Sequence, residues 1–180
     1  MSEQELEKLK YPIGRMQFDP NVTEAARLAR IDGAAALPGQ LRAAVAGLSD
    51  EQLDTLYRPG GWTVRQVAHH IADASMTMYT RFKLALTEDK PLVKMFEENE
   101  WVKLVDSATL SVEPALLMLD GLHQRIDAVL RSLPASAFET TKFVHPVNGE
   151  MNLDQLLAFF SWHGRHHTAQ ITALRERMGW

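Results

Sequence analysis

Four stretches of roughly twenty or more residues carry apolar side chains at the three-to-four spacing of an α-helix, and no stretch of comparable weight alternates as a strand does. The first runs from about Thr23 to Gly47 and is rich in Ala, Leu and Arg. Pro38-Gly39 falls inside it and predicts a kink or a break, because proline has no N–H to give the preceding turn. The second opens after the turn-forming Arg58-Pro59-Gly60-Gly61-Trp62; Thr63 and Gln66 stand at capping-box spacing, so the helix is predicted from Thr63 to near Thr87. A third follows Ser111 and ends near Leu133, with Pro114 tolerated in its first turn. The fourth is opened by Asn152 and Gln155 and runs to about Met178, before Gly179.

Between the long helices lie a capped turn at Ser49–Gln52, a connector from Glu88 to Leu110, and a loop or small hairpin at Phe143–Glu150, where Asn148-Gly149 is a strong turn signal. The expected fold is an all-α four-helix bundle of the up-down-up-down type, with a short extra helix and long connectors. Residues 1–180 read as one domain, without repeats or low-complexity tracts.

Composition narrows the chemistry. A net charge of -4 gives no basic face for nucleic acid. The absence of cysteine removes thiolate ligands, Fe–S clusters, disulfides and a cysteine nucleophile, leaving nitrogen and oxygen to hold any metal. The acidic N-terminus does not resemble a signal peptide, and no segment approaches the ~20 apolar residues of a membrane span, so a cytoplasmic location is expected.

Five of the seven histidines fall at His69-His70 and in Trp162-His163-Gly164-Arg165-His166-His167, both on predicted helices. On the fourth helix Leu153, Leu156, Leu157, Phe160, Ile171, Leu174 and Met178 define the apolar face. His167 falls about 20° from its centre, His163 about 60°, His166 about 120°, and Trp162 nearly opposite. On the second helix the stripe is Val64, Val67, Ile71, Ala74, Met78 and Phe82. His70 borders it at roughly 90°, whereas His69 at roughly 170° is expected to face solvent. His163 and His167, one turn apart on one face, form a bidentate pair. His70 from a facing helix would complete a three-nitrogen site with an open position, the arrangement of catalytic zinc-type centres. Gly164 stands where a zincin carries its glutamate base, which argues against a peptidase. Asp73 could at most orient His69 or His70; Arg58, Arg65 and Tyr79 are candidates for an anionic substrate, and His166 for acid/base work.

Several segments resemble the DinB/YfiT-like superfamily of helical-bundle metalloproteins, in particular its YfiT branch. They are Tyr11-Pro12-Ile13-Gly14, the run from Tyr57 through Gly60-Gly61-Trp62-Thr63-Val64-Arg65-Gln66-Val67 to His69-His70-Ile71-Ala72-Asp73, Arg81–Glu88, Trp162–His167 and Arg177–Trp180. The resemblance implies one divalent ion per chain, nickel or zinc, on His70, His163 and His167, and it departs from some relatives at Gln170. It also implies a metal-dependent hydrolase acting on a small molecule. The alternatives are a metal-dependent S-transferase passing a low-molecular-weight thiol to an electrophile, or a bundle that binds metal without catalysis. No nucleic-acid or membrane partner is expected; a homodimer is one assembly open to such a chain.

Overall fold

The computed structural model describes residues 2–180. In chain order the elements are α1 (Glu3–Lys10), α2 (Glu24–Val45), α3 (Asp50–Leu53), α4 (Val64–Thr87), α5 (Glu98–Trp101), α6 (Val105–Thr109), α7 (Glu113–Ser132) and α8 (Ala135–Thr140). The hairpin β1 (Lys142–His145) and β2 (Gly149–Asn152) and the long α9 (Leu153–Met178) complete them. The long helices begin and end close to where the sequence places them, because their caps are local chemistry. Thr63 with Gln66, and Asn152 with Gln155, form reciprocal capping boxes that satisfy N-terminal N–H groups. The short helices α1 and α8 are not among those predicted from the sequence.

The four long helices form the bundle, and its neighbours are α2 with α9, α2 with α7, α4 with α7 and α4 with α9. The helix directions correct the expected alternation. Gly33 lies against Ser161, Leu37 against Gly164 and Arg175 against the Ala44 carbonyl, so α2 and α9 run parallel. Ser75 contacts His123 and Tyr79 contacts Arg125, so α4 and α7 are parallel too. His70 opposite His163 and Phe82 opposite Phe160 make α4 and α9 antiparallel. The order is therefore up, down, down, up. Its cause is the connector between α4 and α7, which carries the chain back along the length of α4. Arg81 reaches the Lys94 carbonyl, Gln66 the Val102 carbonyl, and Arg65 the Leu110 carbonyl.

That return path also corrects the expectation for His69. It is buried, not solvent-facing, and lies beside the backbone of Leu110 and Ser111 where the connector crosses α4. A periodicity argument finds the face that meets the core; it does not see a connector folded onto the opposite face.

Pro38 neither breaks nor interrupts α2. A proline at this position leaves the carbonyl one turn earlier, that of Ala34, without a helical donor. The buried His123 of α7 fills the gap: its Nδ1 donates to Ala34 O at 2.7 Å, and Ser75 Oγ donates to its Nε2 at 3.1 Å. The unmet acceptor is supplied from the neighbouring helix, which keeps the backbone polar groups satisfied in the core.

The core gathers in two clusters. One contains Leu37, Leu41, Val64, Val67, Ile71, Leu119, Ile171 and Leu174. The other contains Met78, Phe82, Ile126, Phe138, Phe143, Met151, Leu156 and Phe160. Of the apolar residues predicted to face inward, Met178 is exposed, since it lies in the last turn of α9. Among the described residues no helix is long and apolar enough to cross a membrane.

Candidate metal centre

Between the two clusters, at the level where α4 faces α9, the structure brings His70, His163 and His167 together, with one nitrogen of each lying within 4.8 Å of the others. His70 Nε2 and His163 Nε2 are 3.2 Å apart. Two nitrogens bound to one ion at about 2.1 Å stand at roughly that separation. Burial, reinforced by the neighbouring imidazoles, holds all three well below the usual histidine range, so they are neutral and keep the lone pairs that ligation requires.

Gln170 sets the orientation of His167. Its Oε1 accepts from His167 Nδ1 at 2.9 Å, which leaves Nε2 for the centre. The amide itself is held, because its Nε2 donates to Lys10 O and to His166 Nε2. This arrangement suits ligation, since a metal-bound histidine normally has its second ring nitrogen fixed by an outer hydrogen bond. Trp62 closes another side, its ring 4.6 Å from that of His70 and 6.0 Å from that of His167. The Gly60-Gly61 turn delivers it there. A Cβ on Gly61 would stand 2.8 Å from Arg58 Cγ and 2.9 Å from Tyr57 Cε1, so a larger residue there would force those side chains to shift.

Gly164 has a structural reason to be where it is. A Cβ there would stand 2.8 Å from Leu37 Cδ1 and closer still to Cδ2, and Leu37 is buried. The glycine lets α2 and α9 approach closely beside two of the three histidines. Replacing Gly164 with alanine is expected to cost about 1–3 kcal/mol by overpacking, read as a lower urea midpoint. An unchanged midpoint would show that the two helices can part freely.

The three imidazoles open onto a cavity of about 280 Å³. At about 30 Å³ per water this is roughly nine waters' worth, enough for a small organic molecule. His70, His163 and His167 line it together with Phe18, Met78, Arg81, Phe96, His145, Asn148 and Phe159, among others.

His166 does not line this cavity. It lies behind His167, stacked between Trp162 at 4.4 Å and Tyr11 at 5.5 Å, and burial pushes its pKa down to about 4. With Nε2 accepting from Gln170, it is placed to support the centre's wall and not to exchange protons in the cavity. Arg58, Arg65 and Tyr79 are likewise elsewhere. Arg65 is committed to Asp50, Asp54 and the Leu110 carbonyl, Arg58 to the Tyr57 hydroxyl, and Tyr79 accepts from Arg125. Asp73 makes no side-chain hydrogen bond to either histidine, and burial, with Asp106 nearby, pushes its carboxyl up to about 6. Among the cavity residues that periodicity misses are Arg81 and His145. Arg81 looks like a surface charge on a helix, and His145 sits in a hairpin whose placement only the tertiary fold decides.

The chain as a whole is similar to several known proteins. A protein from Geobacillus kaustophilus (strain HTA426), provisionally named a metal-dependent hydrolase, is 49% identical over 176 residues, covering 97% of this chain and 98% of its own. One from Bacillus mycoides (strain KBAB4), with the same provisional name, is 46% identical over 175 residues, covering 97% of this chain and all of its own, 100%. The structure of YfiT from Bacillus subtilis, provisionally described as a metal-dependent hydrolase with an unusual four-helix bundle topology, superposes with a TM-score of 0.93. It is 41% identical, covering 96% of this chain and 99% of that one. The sequence profile of the DinB superfamily matches residues 35–171, which take in all three converging histidines, and the chain belongs to that superfamily.

Proposed function

We propose that the chain is a metal-dependent hydrolase of a small molecule, with one divalent ion, zinc or nickel, held by His70, His163 and His167. The observation that carries this reading is the convergence of three neutral imidazoles on the end of an otherwise largely apolar cavity. Three imidazole nitrogens suit zinc and nickel, and a site with only three protein ligands keeps a position for substrate or water. The provisional names of the similar proteins support it. When bound, such an ion supplies Lewis acidity, making water a nucleophile near neutral pH and polarising a carbonyl.

The chain's own residues then have distinct tasks. Gln170 fixes the His167 ring, and Trp62 packs against His70 and His167 and limits water on that side. Phe96, Phe159 and the buried Phe143 make the cavity a low-dielectric place in which polarising effects are strong. No carboxylate hydrogen-bonds any of the three imidazoles among the described residues, and Glu98 is the one acid in the cavity lining. This scarcity of carboxylates favours a second reading, transfer of a small thiol to an electrophile. A thiolate brings its own nucleophile and needs no protein base.

The two readings part experimentally. Protein loaded with zinc or nickel is expected to hydrolyse members of a panel of activated esters and amides, and to lose that activity on chelation. Turnover only when a low-molecular-weight thiol and an electrophile are both supplied would replace hydrolysis with thiol transfer. Inactivity in both assays at full metal occupancy would remove the enzymatic reading.

A further inference from the structure

Arg81 stands about three turns beyond His70 on α4 and lines the same cavity. It is 7% exposed. The other buried arginines are neutralised: Arg27 by Asp154, and Arg65 by Asp50 and Asp54. Arg81 has no such partner, since no carboxylate lies within ion-pair distance of it among the described residues. Its Nη2 donates to Lys94 O at 3.0 Å and lies 3.9 Å from Met95 Sδ; Nε is buried without a hydrogen-bond partner. Keeping a guanidinium in such surroundings without a counter-ion is costly, and the cost is relieved when an anion arrives from outside.

The surroundings say where that anion would sit. Arg81 and His145 on the hairpin line the same cavity as the three imidazoles, so an anion against the guanidinium would lie in the space onto which they open. His145 Nδ1 accepts from the Val147 and Asn148 N–H groups, which makes Nε2 its protonated nitrogen and a second donor on the cavity wall. Most of the remaining lining is apolar, including Phe18, Met78, Met95, Phe96 and Phe159.

We propose that Arg81 is the anion-recognition residue of this cavity, and that the substrate is a small carboxylate with an apolar body whose reacting group meets His70, His163 and His167. The substrate class rests on the cavity being the reaction site argued above. A carboxylate fits better than a phosphate ester, because one guanidinium in apolar surroundings balances one negative charge and not two. Glu98, the acid in the lining, is partly exposed and forms no ion pair with Arg81.

The test is calorimetric titration of hexanoate, and of its neutral counterpart hexanamide, into metal-free and zinc-loaded protein. Hexanoate is expected to bind the metal-free wild type and to bind Arg81→Met at least about tenfold more weakly. Hexanamide is expected to bind both weakly and alike. Arg81→Met should melt no lower than wild type, because it removes an uncompensated buried charge, whereas a merely structural arginine would leave a less stable protein. Should that variant not fold, Arg81→Gln carries the same comparison with donors retained and charge removed. Equal hexanoate affinity in wild type and variant, or no saturable hexanoate binding by wild type, overturns the proposal. Zinc content is measured on the same samples: hexanoate binding without zinc retention removes the metal centre and leaves the anion site, and zinc retention with Arg81-independent binding removes the anion site alone.

Discussion

Replacing His167 with alanine is expected to weaken zinc or nickel retention by on the order of a hundredfold or more while leaving the bundle folded. The two halves of this outcome come from different parts of the molecule. His167 contributes one of the three imidazole nitrogens that converge there, and its ring is the one that Gln170 holds in place. The fold, in contrast, is carried by two apolar clusters that continue on either side of the histidines, so little cohesion passes through a metal. Metal content after dialysis and far-ultraviolet circular dichroism on the same sample measure both halves. Loss of helicity along with the metal would make this a structural site. His69→Ala is the informative control: metal is expected to stay, because His69 lies under the connector on the other face of α4, but the variant should melt lower because it leaves a void there. Metal lost from His69→Ala and kept by His70→Ala would mean that the ligands are misassigned.

What could be read from the sequence divides along a physical line. Helix starts at Thr63 and Asn152 are decided within four residues by capping chemistry, and both are legible. So is the meeting of His70, His163 and His167, because it needs only two apolar stripes that face each other. What escapes is set by segments distant in sequence. The burial of His69 depends on the connector before α7 returning along α4, the continuity of α2 through Pro38 depends on His123 from another helix, and the environment of Gln170 depends on Lys10 from α1. Arg81 is the sharpest case. A lone arginine in a helix reads as a solvated charge, and only the loop over it and the hairpin beside it turn it into a buried group facing a cavity. The alternation of helix directions fails for the same reason, since the length of a connector does not say which end of the bundle it reaches.

Asp154→Ala is expected to destabilise the protein by about 3–5 kcal/mol, a large part of a typical domain's stability. Asp154 and Arg27 form a two-point ion pair, Nε to Oδ1 at 2.8 Å and Nη2 to Oδ2 at 2.7 Å, with both side chains buried. The pair sits where the parallel arrangement of α2 and α9 creates a particular problem. Both helices begin at the same end of the bundle, so their positive dipole ends lie side by side, and Arg27, in the first turns of α2, adds a further positive charge. Asp154, in the first turn of α9, answers all three. Without it, Arg27 keeps only the longer contact to the exposed Glu139, at 3.5 Å, and the face of Phe138 at 4.8 Å. Breaking one member of a buried pair costs more than replacing both with apolar residues of similar size, because only the first leaves a charge stranded. Urea unfolding of Asp154→Leu, Arg27→Met and the double variant therefore provides the decisive cycle: the double variant should be more stable than Asp154→Leu alone. If the two losses simply add, the ion pair does not act as a unit, and the parallel helix ends must be held together by apolar contact alone.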